Sequence, residues 1–394
     1  DEAIVQVELA GLCGSDLHVY RGAESVPRGT IQGHEFIGRV VSSRSRFVSV
    51  GTLVVAPFST SCGSCVGCLR GLSSRCSAAK LFGSPALAGA QAEFVKVPHA
   101  SNSLVALNPV LDVSRESLLL CADILPTGFF AALQAVTHPN LAGVLRGIPQ
   151  TDLVWSAVSP LPSTSPLPAL TAPALTFAIV GLGPVGQCAL VSLLDILMRP
   201  TQAPLRLPDD SLLSRSIRLL LVDGVPQRRL TAVNMVNTIQ KTSGGFKNLV
   251  VESLDLDQAQ KWTQSRNLDE CADAVLEAVG ANSSLSLAYH LIRPFGVISS
   301  VGVHTSPTFP LTGDDLYNKN VSLAFGRCPV RALLPLALGT LERRQDVLGK
   351  IGGGGLIDRV VHVNQAVEMY KLFEERKVGK VLFRFDEGKS AAKL

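Results

Sequence analysis

Short apolar runs closed by glycine, proline or serine mark the first third of the chain, where residues 3–9, 38–41 and 53–55 are rich in valine, isoleucine and leucine. Runs of that length between turn formers predict strands of a β-rich domain. Over 116–136 the apolar spacing lengthens toward that of helices, interrupted at Pro126-Thr127-Gly128. Beyond it strands and helices alternate: 177–180, a helix from Pro184 onward, then 217–222, 249–251, 274–277 and 297–301. Such alternation predicts a parallel sheet with helices on both faces. Segments 139–173 and 199–216, rich in proline, break the pattern and are expected to be surface insertions. The tail over 329–385 holds a helix-like 332–341, a glycine run at 352–355, and a final helix and strand. It is expected to return to the first domain, giving boundaries of 1–124, 125–328 and 329–394.

Composition narrows the class. A chain of 394 residues, 46% hydrophobic and 17% charged, is long enough for about two domains with large buried cores. Its net charge of +4 is slight and scattered, which excludes nucleic acid as an implied partner. Residues 174–198 are apolar enough to suggest a membrane span, but three glycines, Pro184 and Asp195 fit a strand, turn and helix better. No membrane partner is expected. No secretory leader opens the chain, and cysteines at metal-ligand spacing fit a reducing compartment such as the cytoplasm. The last residues, Ala392-Lys393-Leu394, resemble a relaxed peroxisomal address. Because Asp1 falls directly in a strand-like run, residues preceding it are expected.

Four of the nine cysteines, Cys62, Cys65, Cys68 and Cys76, form a C-x2-C-x2-C-x7-C cluster that one loop can wrap around a tetrahedral zinc ion. Two disulfides are the alternative. Four thiolates would leave no position for substrate, so this zinc would be structural.

A second motif lies at 177–186, where an apolar strand runs into Gly181-Leu-Gly183-Pro-Val-Gly186 and then a helix. The three glycines suit a tight turn, close approach of a pyrophosphate and helix-to-strand packing. The next strand ends at Asp223, whose carboxylate can accept from ribose hydroxyls and repel a 2′-phosphate, favouring NAD over NADP. The gap from Gly186 to Asp223 exceeds the usual distance of about 20 residues, an excess attributed to the 199–216 insertion. Arg228 and Arg229 either reach the adenosine ribose or solvate a helix start.

The motifs Gly11-Leu-Cys-Gly-Ser-Asp-Leu-His18 and Gly33-His-Glu-Phe36 place a thiol, an imidazole and acids on glycine-flanked turns. Cys13 and His34 can ligate a metal, and a third protein ligand would leave one open position. With the cysteine cluster and the glycine fingerprint in the same order, the chain resembles the zinc-dependent medium-chain alcohol dehydrogenases from about residue 3 to 385, apart from the two insertions. The resemblance implies a GroES-like β-rich catalytic domain and a Rossmann doubly wound domain, both within the α/β class.

It also implies a second zinc, catalytic, on Cys13, His34 and Asp123, the last in an Ala-Asp-Ile-Leu-Pro-Thr-Gly run similar to the formaldehyde-dehydrogenase-like branch. Cys121 is the rival ligand, expected to point away. The same resemblance gives Glu35 a place beside the zinc, Ser15 and His18 a proton relay, Asp16 the orienting of a ligand, and Thr127 a cofactor contact. The implied reaction is hydride transfer from an alcohol or hydrated aldehyde to NAD, by a homo-oligomer, dimer or tetramer. A polyol or amino-alcohol dehydrogenase, or a non-catalytic relative, are the alternatives.

Overall fold

The computed structural model of the chain describes residues 1–108, 110–145 and 174–385. Two compact units emerge, one of Asp1–Thr127 with the segment from Arg327 onward, the other of Gly128–Gly326.

In the first unit β1 (Glu2–Leu12), β2 (Phe36–Ser43), β3 (Leu53–Ala56), β4 (Phe94–Pro98) and β5 (Val105–Ala106) pair antiparallel. Alternate residues of these strands, among them Val5, Val7, Val54, Val95 and Val97, share a core with Phe36 and Phe82. The two phenyl rings meet edge to face, 5.2 Å between centroids. The register has a functional result: Ala10 pairs with Phe36, and Gly11 N donates to Glu35 O at 2.9 Å. Whatever follows β1 and precedes β2 must therefore meet, and those residues are Cys13 and His34-Glu35.

The second unit is a six-stranded sheet, parallel throughout, of β6 (Leu175–Val180), β7 (Ser216–Val222), β8 (Asn248–Leu254), β9 (Ala272–Glu277), β10 (Ile292–Ser300) and β11 (Ser322–Phe325). The order β11-β10-β9-β6-β7-β8 reverses direction between β6 and β9, the switch point of a doubly wound fold. Both strands are buried at every position, so they are apolar almost throughout rather than alternating. In the first unit β12 (Ile357–His362) and β13 (Lys380–Arg384) complete the sheet, β13 lying antiparallel to the end of β1 with Leu12 opposite Val381.

Three expectations need correction. Pro126-Thr127-Gly128 does not interrupt a helix, because Ile124–Val136 runs through it. Pro126 falls in the first turn, where a missing N–H costs no hydrogen bond, and the break comes at Asp123, with φ −150° and ψ −71°. The segment read as a surface insertion from 139 begins as a helix, Pro139–Leu145, with Leu141 and Leu145 buried; the rest of it, from 146, lies outside the described residues. Likewise 199–216 is anchored by buried Leu205, Leu207 and Leu212. The address at Ala392-Lys393-Leu394 also lies outside the described residues. Among the described residues no single helix is long and apolar enough to cross a membrane.

Candidate metal and nucleotide sites

Ligand atoms of Cys13, His34, Glu35 and Asp123 all lie within 4.8 Å of one another. Asp123 Oδ2 is 3.3 Å from His34 Nε2 and 3.9 Å from Cys13 Sγ. On the other side of the ring, His34 Nδ1 is 3.2 Å from Asp16 Oδ1, while Asp16 Oδ2 accepts from Cys13 N at 2.9 Å. One buried carboxylate thus orients both turns, with Nε2 directed at the group. Ser15 Oγ lies 3.3 Å from His34 Nε2. Burial opposes charge on His34, yet Asp16 and Asp123 outweigh it and hold its pKa well above the usual range. Two carboxylates, a thiol and an imidazole in so small a volume call for a cation.

Glu35 sharpens that inference. It is 1% exposed, and one carboxylate oxygen is ion-paired with Lys380 Nζ, itself 1% exposed, which also donates to Leu12 O at 3.0 Å. Its Oε1 is buried without a hydrogen-bond partner, an oxygen a metal ion beside it would satisfy. Burial works against charge on Lys380, but the facing Glu35 offsets this and raises the lysine pKa.

Thr127 donates its hydroxyl to Asp123 Oδ1 at 2.9 Å, which fixes that carboxylate. Cys121 is fully buried and stands outside the metal-ligand group; burial pushes its thiol up to about 12. His18 lies on the helix Asp16–Tyr20, and its side chain makes no hydrogen bond among the described residues, so it is not joined directly to Ser15. Lys380 escaped sequence reasoning, although a lone lysine opening an apolar strand after Val378-Gly379 was a signal to weigh.

The sulfurs of Cys62, Cys65, Cys68 and Cys76 form the second group within 4.8 Å, and none of these four is in a disulfide, which removes that alternative. Tetrahedral zinc with bonds of about 2.3 Å sets sulfurs about 3.8 Å apart, so the loop fits that ion. Backbone N–H groups aim at the sulfurs: Cys65 N to Cys62 at 3.4 Å, Cys68 N to Cys65 at 3.5 Å and Cys62 N to Cys76 at 3.3 Å. Hydrogen bonds from the Ser64 backbone and hydroxyl, then from Cys65, bring the Cys62 thiol down to about 5. Such a thiol is a ready ligand.

In the second unit the glycine fingerprint links β6 to the helix Pro184–Leu197, with Pro184 in its first turn. Gly181 has φ +89°, and a Cβ on Gly186 would come 1.7 Å from Gly181 O, so the turn cannot close around any larger residue. Over Gly183 a Cβ would meet nothing nearer than Arg228 Nη1 at 3.8 Å, which leaves a cradle for a phosphate at the helix start. Asp223 accepts from Leu182 N and Val225 N, both at 2.7 Å, and Arg228 Nη1 is 3.8 Å from its Oδ2. Arg229 donates to Asp223 O at 2.5 Å instead. Glu277, also missed, ends β9 fully buried and accepts from Val279 N, Gly280 N and Ser284 Oγ, each at 2.8 Å, fixing a neighbouring loop. A charged residue closing an apolar strand just before Ala-Val-Gly was its sequence signal.

Residues 1–109 match the family of the alcohol dehydrogenase GroES-like domain. The zinc-type alcohol dehydrogenase B of Aspergillus flavus is 35% identical over 388 residues, covering 98% of this chain and 76% of that protein. The medium chain reductase/dehydrogenase ucsI of Acremonium sp is 38% identical over 319 residues, 80% of this chain and 89% of that protein. Among solved structures, the alcohol dehydrogenase TADH from Thermus sp. ATN1 aligns with a TM-score of 0.72 at 26% identity, over 98% of this chain and 94% of that one.

Proposed function

Because the chain belongs to the zinc-dependent medium-chain alcohol dehydrogenase family, we propose that it oxidises an alcohol, or a hydrated aldehyde, by hydride transfer to NAD at the Cys13, His34 and Asp123 centre. The observation that carries this is the convergence of those three side chains beside a buried, unpartnered Glu35 oxygen. Zinc held there would supply a Lewis acid that lowers the pKa of the alcohol, and NAD on the glycine cradle would supply the hydride acceptor.

The chain's own residues then have separate tasks. Asp16 accepts the hydrogen bond of His34 Nδ1–H and so leaves Nε2 to the metal. Thr127 holds Asp123. Ser15 is placed to accept the proton leaving the substrate, and His18, which does not touch Ser15, would carry it on toward solvent only through an intervening hydroxyl. Lys380 pairs with Glu35 beside the centre and opposes the effect of burial on its carboxylate, without occupying the centre. Cys62, Cys65, Cys68 and Cys76 hold the second, structural zinc. The Ala-Asp-Ile-Leu-Pro-Thr-Gly run around Asp123 resembles the formaldehyde-dehydrogenase-like branch, which supports formaldehyde among the substrates, with polyols and amino alcohols as the competing class. The assembled protein is taken to be a homo-oligomer, which light scattering on the eluting peak measures.

Purified protein with NAD and a panel of alcohols, polyols and formaldehyde, followed by absorbance at about 340 nm, tests the reading. Turnover with at least one is expected; no turnover with any of them in protein holding two zincs would overturn it. His18→Ala should lose no more than about tenfold in kcat near neutral pH, since solvent substitutes in a relay. A loss as complete as removal of a zinc ligand would assign His18 a different task. Asp223→Asn should raise the NADP-to-NAD ratio of kcat/KM by about tenfold, because it removes the charge that repels a 2′-phosphate. An unchanged ratio would remove Asp223 from the ribose site.

A further inference from the structure

Both turns that carry the metal ligands are tied together by one amide remote from them in sequence. Gln91 N donates to Gln32 O at 2.9 Å, flanked by Gly89 N to Ile31 O at 2.8 Å and Ala90 N to Gly33 O at 2.9 Å. Residues 89–91 therefore run beside 31–33 and fix the backbone leading into His34. Gly33 has φ +93°, and a Cβ there would come 2.6 Å from Gln91 Cγ, so the glutamine side chain lies directly on that backbone. From this position Gln91 Nε2 donates to Gly11 O at 3.2 Å, two residues before Cys13. Its Oε1 accepts from Tyr370 Oη at 2.8 Å, which orients the amide with its nitrogen toward Gly11. Tyr370 belongs to the helix Ala366–Glu374, near the end of the described chain.

We propose that Gln91, oriented by Tyr370, is a positioning residue that holds the Cys13 and His34 turns at bonding distance from one ion, so that the helix Ala366–Glu374 governs metal retention at this centre. Asp16 ties the same two turns through the ligands themselves; Gln91 ties them through the backbone behind the ligands. The proposal rests on the reading of Cys13, His34 and Asp123 as a zinc site. Neither Gln91 nor Tyr370 is a ligand, so the effect of losing them is on how long the ion stays, not on whether it can bind.

The test is zinc release to a chromogenic chelator from the purified holoenzyme, comparing wild type with Gln91→Leu, Tyr370→Phe and the double variant. Tyr370→Phe keeps the ring that packs against Tyr20 and removes only the hydroxyl, so it should fold. One of two zincs should leave about tenfold faster in Gln91→Leu and several-fold faster in Tyr370→Phe, while the four-cysteine zinc leaves at the wild-type rate. The double variant should be no faster than Gln91→Leu alone, because Tyr370 acts through Gln91. Unchanged release of the first zinc, equal acceleration of both, or additive effects in the double variant would overturn the proposal. A wild-type protein releasing a single zinc, from the four-cysteine loop, would overturn the metal centre itself and the proposal with it.

Discussion

Cys13→Ala is expected to abolish turnover, by about a thousandfold or more, and to lower the zinc content from two ions per chain to one. The thiol is the only sulfur in the group formed with His34, Glu35 and Asp123. Removing it leaves an imidazole and carboxylates, a poorer set for zinc, and deletes the strongest charge compensation available to the ion. Without the ion the alcohol keeps a pKa far above neutrality and no barrier-lowering electrophile remains. The four-cysteine loop draws its ligands from residues 62–76 alone, so its zinc stays. Metal analysis alongside kinetics checks this; a variant that still holds two zincs, or still turns over, removes Cys13 from the centre.

Lys380→Met should destabilise the first unit by about 3–5 kcal/mol, because it removes the ammonium ion-paired with the buried Glu35 carboxylate. Both side chains are 1% exposed, so solvent cannot take the place of the missing partner. For a unit of this size the melting temperature should fall by about 10 °C. The pH dependence has a definite sign. Burial already raises the folded-state pKa of Glu35 with Lys380 in place, and losing the lysine raises it further, so the folded form of the variant binds the proton more tightly. Stability from that group is then present at low pH and lost as pH rises through the folded pKa, making the deficit smaller at about pH 5 than at about pH 8. Calorimetry at both pH values checks it. A deficit that grows toward acid, or no change in melting temperature, would mean Glu35 is compensated by something other than Lys380.

What the sequence disclosed about this molecule was whatever local spacing encodes. Cys62, Cys65, Cys68 and Cys76 lie in one loop, and Gly181, Gly183 and Gly186 in one turn, so their geometry follows from a few residues of backbone. Cys13 and His34 were visible as glycine-flanked motifs, although what brings them together is the antiparallel pairing of β1 with β2, a long-range event. Lys380 and Tyr370 were hidden for that reason. They meet Glu35 and Gln91 across 345 and 279 residues, through β13 pairing with β1 and the helix before it. No periodicity records such a contact. Pro126 misled because its effect depends on position within a helix, and the helix start at Ile124 was set by the irregular backbone of Asp123. The helix Pro226–Ser243 was signalled by the strand and helix alternation and by Arg228 and Arg229 at its start rather than by an apolar stripe: PQRRLTAVNMVNTIQKTS is polar at most positions, and only five of its residues are buried.

The centre itself is tested most directly by anomalous scattering at the zinc edge from crystals of the purified protein. Two peaks per chain are expected, one enclosed by Cys62, Cys65, Cys68 and Cys76, the other about 2.0–2.3 Å from Cys13 Sγ, His34 Nε2 and an Asp123 oxygen. A single peak in the four-cysteine loop, with those three side chains bare, would contradict the account.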